Sequence, residues 1–123
     1  MPKTKHRLIV ENGAERPEPE FVKVIKVSRL GEGKMKRTIA HGKPMALLKT
    51  EGTFYAVNDI CPGYGRLLSE GRIEGTKLVC PGDNWSYDVR TGKGPYRRSH
   101  RIATYAVRVE GDEVFVGWLK ELR

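Results

Sequence analysis

The residues of this chain best suited to chemistry are its two cysteines, and each opens a loop of similar composition. Cys61-Pro62-Gly63 begins one loop and Cys80-Pro81-Gly82-Asp83 begins the other. Sixteen residues, 64 to 79, separate Gly63 from Cys80. A pair of thiolates is a soft donor set, suited to zinc, iron or an iron–sulfur centre. Asp83 adds a hard carboxylate oxygen beside these soft donors. Nitrogen donors are scarce: the histidines are His6, His41 and His100. Asp59 and Asp83 also invite an acid–base reading, but aspartates in Gly/Pro loops more commonly form turns.

The elements that position these loops read as strands. Phe21–Val27 is β-branched, and Lys36–Ala40, Met45–Lys49 and Thr53–Val57 follow, separated by Gly31-Glu32-Gly33, His41–Pro44 and Glu51-Gly52. The first cysteine loop spans Asp59 to Glu70. Arg72–Glu74 and Lys77–Val79 make a short hairpin, and Trp85–Val89 leaves the second loop, with Trp85 and Tyr87 on one face toward the core. Thr104–Val109 and Glu113–Gly117 form a last hairpin. No segment has helical periodicity. The expectation is an all-β domain of nine or ten short strands over 21–123, preceded by a polar N-terminal arm, 1–20.

The chain has 123 residues, enough for one modest core. No apolar run approaches the roughly 18 residues of a membrane span, and the first residues lack the apolar stretch of a signal peptide. A cytoplasmic protein with no membrane contact is expected. Net charge is +8. Phe21 to Lys49 holds eight basic residues and one acid, Glu32, and no acid lies between Asp88 and Glu110. Lys93, Tyr96, Arg97, Arg98 and Arg101 in that second stretch are candidate contacts for a protein partner with an acidic surface. A nucleic-acid role is a weaker alternative, since no nucleic-acid motif accompanies the charge.

The sequence from Phe21 to Val116 resembles the Rieske-type ferredoxins. The resemblance is carried by Gly42-Lys43-Pro44 before an apolar strand and by Phe54-Tyr55-Ala56-Val57-Asn58 leading to Cys61-Pro62. Leu68-Ser69-Glu70-Gly71, Leu78-Val79-Cys80-Pro81, Trp85 to Gly92 and Tyr105 to Val114 carry the rest. It implies a stack of antiparallel sheets with two loops at one tip. In that family the loops read Cys-x-His and Cys-x-x-His, two thiolates holding one iron and two imidazoles the other. Here Gly63 and Asp83 stand at the histidine positions, and Gly82 stands where a bulky aromatic is common.

Four readings of Cys61 and Cys80 follow. The resemblance puts their sulfurs near each other, so a Cys61–Cys80 disulfide is one. Two reduced thiols without function is another. A mononuclear zinc or iron on Cys61, Cys80, Asp83 and His100 is the third. A 2Fe–2S cluster with altered ligation on Cys61, Cys80 and Asp83 is the fourth. The leading expectation is a domain that binds no cofactor, is not an enzyme, and serves as an accessory or partner-docking module. The alternative is a Rieske-type electron-transfer protein with a variant cluster or metal site.

Overall fold

The computed structural model describes residues 7–9, 15–17, 21–62, 65–82, 84–94 and 101–119. These form eleven strands, two single-turn 3-10 segments at Val27–Arg29 and Leu68–Glu70, and no α-helix. The strands are β1 (Arg7–Ile9), β2 (Glu15–Pro17), β3 (Val22–Lys26), β4 (Met35–Ala40), β5 (Lys43–Thr50) and β6 (Thr53–Asn58). They continue with β7 (Arg72–Glu74), β8 (Lys77–Val79), β9 (Ser86–Asp88), β10 (Thr104–Glu110) and β11 (Glu113–Leu119). A six-stranded sheet has the order β3-β11-β10-β6-β5-β4, and a three-stranded sheet the order β7-β8-β9. All their pairings are antiparallel. The all-β expectation holds.

The run Met45-Ala46-Leu47-Leu48 does not alternate with polar residues, and the fold uses both of its faces. All four side chains are fully buried. Ala46 and Leu48 face one core with Val57, Leu68, Leu78, Tyr87 and Val89, between the large sheet and the small one. Met45 and Leu47 face a second core with Phe54, Ala56, Tyr105, Val114 and Val116, inside the curve of the large sheet. His41 Nε2 lies 3.1 Å from the Val116 carbonyl oxygen, which ties the β4–β5 turn to β11. Both cysteines belong to the first core.

Strand ends shift by one or two residues from the sequence reading, and two differences change the pairing. Pro44, assigned to a turn, lies inside β5 opposite Ile39. It precedes the first β5–β6 pair, Met45↔Asn58, so its missing N–H costs no ladder bond there. Within the stretch read as a polar arm, β1 and β2 pair with each other, Arg7 opposite Pro17 and Ile9 opposite Glu15.

Candidate functional site

The two cysteine loops share one backbone frame. In the first, the Cys61 N–H donates to Arg66 O (2.8 Å) and the Gly65 N–H donates to Cys61 O (2.8 Å). In the second, the Cys80 N–H donates to Trp85 O (2.7 Å) and the Asn84 N–H donates to Cys80 O (3.1 Å). Each loop is thus closed by a bond from the cysteine to the residue five places on, and tightened by one from four places on. The fourth place takes a left-handed conformation in both, at φ 70° for Gly65 and φ 63° for Asn84. Glycine meets this demand without a side-chain penalty, and asparagine is the residue that next best tolerates it. The common Cys-Pro-Gly opening serves the same end, since proline restricts both its own φ and the residue before it.

Supports beneath the loops differ. The first is held by Asp59, whose side chain is fully buried. Its carboxylate accepts from the Ser69 N–H (2.6 Å), the Ser69 hydroxyl (2.8 Å) and Arg37 Nε (3.0 Å). Its carbonyl accepts from the Leu68 N–H (2.7 Å), and its own N–H donates to Pro44 O (3.2 Å). Three charge-assisted bonds offset the cost of burying the carboxylate. Asp59 is a positioning residue that the sequence reading passed over as a turn former. The second loop stands on the β8–β9 hairpin, with Val79 opposite Ser86 and Leu78 opposite Tyr87. Gly71 locks the seam between the two supports, because a Cβ there would collide with the Val79 carbonyl oxygen.

Cys61 and Cys80 are both fully buried. No disulfide joins the two in this structure. The Tyr87 hydroxyl, on a fully buried ring, lies 3.9 Å from Cys61 Sγ, within hydrogen-bonding range of sulfur. The expected inward face of Trp85 and Tyr87 is observed, both packing on the first core.

Gly63 and Asp83 lie outside the described residues, as do Tyr96, Arg97, Arg98 and His100. Among the described residues no three His, Cys, Asp or Glu side chains gather as a metal site. Lys93 and Arg101 are exposed and form an antiparallel bridge, so they flank the base of the basic segment between them. The frame beneath it is set by Asp88, whose carboxylate accepts from Arg90 Nε (3.0 Å), a guanidinium NH2 (2.7 Å) and the Arg90 N–H (2.8 Å). The Arg90 hydrogen bonds hold the Asp88 carboxyl below its ordinary value.

The donor set divides in two when tested against a 2Fe–2S centre. Two buried thiols on matched loops fit the thiolate-bound iron. For the second iron, Gly63 brings no side chain and Asp83 brings a carboxylate in place of imidazole.

Comparison with known proteins bears on the same residues. The family model for the Rieske [2Fe-2S] domain matches residues 20–106. The ferredoxin component of the alkene monooxygenase system of Xanthobacter autotrophicus is 31% identical over 105 residues, covering 85% of this chain and 86% of that protein. Among solved structures, the complex of reduced oxygenase and oxidized ferredoxin in carbazole 1,9a-dioxygenase aligns with a TM-score of 0.75 and 28% identity. That alignment covers 84% of this chain and 97% of the other. A nitrite reductase small subunit from Mycobacterium tuberculosis aligns at TM-score 0.77 and 16% identity, over 85% of this chain and 99% of the other, and shares the fold. The expectation that the chain takes no cofactor is corrected by these matches, which point to a 2Fe–2S cluster. It had rested on Gly63 and Asp83 at the histidine positions and on Gly82 beside them, whereas the family model matches across residues 20–106. The chain belongs to the Rieske [2Fe-2S] domain family.

Proposed function

We propose that this protein is a Rieske-type electron carrier, a ferredoxin component rather than a catalyst, with altered ligation at one iron of its cluster. Cys61 and Cys80 would hold one iron, and Asp83 with a donor from outside the chain would serve the other. When bound, the cluster supplies one-electron transfer at the loop tip. The observation that carries this reading is the matched pair of loops, each presenting a buried thiol from the same hydrogen-bonded frame.

The chain's own residues set the conditions for that chemistry. The Asp59 network fixes the path of the first loop. Burial of Leu68, Leu78 and Tyr87 keeps water from the sulfurs' inner side. The Tyr87 hydroxyl beside Cys61 Sγ stabilises negative charge on sulfur, and hydrogen bonds to cluster sulfurs are a recognised control of potential.

The partner in this reading is an oxygenase-type protein. The related alkene monooxygenase component and the carbazole dioxygenase ferredoxin support it, the latter solved together with its oxygenase. The basic segment bounded by Lys93 and Arg101 is assigned to docking, against an acidic patch on the partner. The arm at 1–20, the separate domain at 21–123 and a cytoplasmic location belong to the same proposal.

The test is a spectroscopic redox titration of the anaerobically purified protein. A visible absorption that bleaches reversibly with one electron supports the reading. An absorption-free protein that takes up no electron contradicts it. Exogenous imidazole, added as a donor for the second iron, is expected to shift that spectrum.

A further inference from the structure

A second feature lies away from the cysteine tip, at a split in the large sheet. Strand β10 pairs with β6 only at Thr104↔Val57 and Tyr105↔Ala56. It then follows β11 to Glu110, with a register shift between Tyr105 and Val107. Beyond Tyr105 the two strands part, and a pocket of about 160 Å³, half open to solvent, lies between them. Its walls include Phe54, Tyr55 and Tyr105, with Val89 and Val107. None of its lining side chains is charged.

One polar group in that lining is unexplained. Thr104 also lines the cavity and is only 4% exposed. Its hydroxyl has no hydrogen-bond partner among the described residues. An unsatisfied buried hydroxyl is costly, and native proteins rarely leave one without a reason. The methyl of Thr104 lies on the side of Gly92, so the hydroxyl is the branch left to meet a partner. Burial also raises the Tyr105 hydroxyl above its ordinary range, which keeps that wall neutral at physiological pH.

The size decides the class of ligand. An apolar cavity of roughly 150 Å³ accommodates one benzene ring. Phe54 and Tyr105 lie on the second-core face of the sheet and Tyr55 on the first-core face, so a ring seated in the split meets aromatic residues from both faces. The unpartnered Thr104 hydroxyl offers a partner for one polar substituent, and a lining without charged side chains disfavours an ion, which would be left without a counter-charge.

We propose that the cavity between β6 and β10 binds a neutral single-ring aromatic carrying one hydroxyl, its ring among Phe54, Tyr55 and Tyr105 and its hydroxyl on Thr104 Oγ1. This site is separate from the cysteine loops: Phe54 lies four residues before the end of β6, roughly 13 Å along the strand.

The test uses the full chain, labelled with nitrogen-15 and titrated with phenol, with benzene as the comparator. Saturable shifts are expected at the amides of Ala56, Thr104, Tyr105 and Val107. Phenol is expected to bind about fivefold more tightly than benzene, the worth of one net hydrogen bond. Thr104→Val keeps the shape and removes the hydroxyl, so the two ligands then bind within about twofold of each other. Val107→Phe fills the cavity and abolishes both. The proposal is overturned if phenol gives no saturable shift at these amides, or if it shows no preference over benzene in the native protein. Undiminished binding in Val107→Phe overturns it equally. Should Thr104→Val fail to fold, the native phenol-to-benzene ratio and Val107→Phe still decide.

Discussion

The Cys61 loop and the Cys80 loop are drawn to the same backbone plan and rest on different foundations. Each cysteine donates five residues ahead and accepts from four residues ahead, and each loop turns through a left-handed fourth position. Beneath Cys61 lies a buried carboxylate, Asp59, that gathers Ser69 and Arg37. Beneath Cys80 lies a hairpin of two three-residue strands whose inner side chains, Leu78 and Tyr87, are fully buried. The same shape is therefore reached by polar fastening on one side and apolar packing on the other. Polar fastening is directional and fails when one group is removed. Apolar packing degrades by degrees with the volume lost.

That contrast breaks most sharply at Asp59. Asp59→Ala removes the acceptor for three donors and strands the Arg37 guanidinium. Because the Arg37 side chain is about half exposed (47%), water resolvates it, and the loss falls below that of a fully buried pair. A cost of about 2–3 kcal/mol is expected in chemical denaturation. In thiol-reagent kinetics on the metal-free protein, Cys61 is expected to become reactive well before Cys80.

The fourth position of each loop gives the next largest effect. Gly65→Ala puts a Cβ into left-handed backbone and costs about 1–2 kcal/mol. Asn84→Gly relieves the same demand in the other loop and is expected to be neutral or to stabilise by less than about 1 kcal/mol. Opposite signs in thermal melts of the two variants would uphold the equivalence of the loops. A destabilising Asn84→Gly of similar size to Gly65→Ala would break it.

Tyr87→Phe tests the one side-chain hydroxyl that reaches across from the second support to the first loop's sulfur. Removing a hydrogen bond to sulfur destabilises the reduced centre, so the midpoint potential is expected to fall, by the equivalent of about 1 kcal/mol. Stability is expected to change little, since the ring stays in place. An unchanged potential would show that the hydroxyl does not act on Cys61.

The smallest effect concerns Asp88, the last residue of the second support. Its pKa is depressed in the folded state, with the Arg90 hydrogen bonds as the leading cause. Its contribution is therefore present in full above the ordinary value of 3.8 and is lost as pH falls through the lower folded value. Asp88→Asn is expected to flatten the acid limb of a stability–pH profile slightly. The first support should be untouched, as judged by Cys61 reactivity.

Much of this was legible in the sequence. The β-branched and alternating runs gave the strands, and Arg72–Glu74 and Lys77–Val79 were placed without error. The repeated Cys-Pro-Gly marked both loops. The role of Asp59 was hidden because its three donors come from residues 37 and 69, and no local pattern announces a contact between them. The reading of a site without cofactor gave too much weight to two side chains. A scaffold is encoded by many packed and turning positions, Gly65, Gly71 and Asn84 among them, and Gly63 and Asp83 do not disturb those.

The most direct measurement is iron and acid-labile sulfide per chain in anaerobically prepared native protein. About two of each is expected, with Cys61→Ser or Cys80→Ser abolishing both. A colourless native protein carrying neither iron nor sulfide, even after reconstitution, would contradict the account.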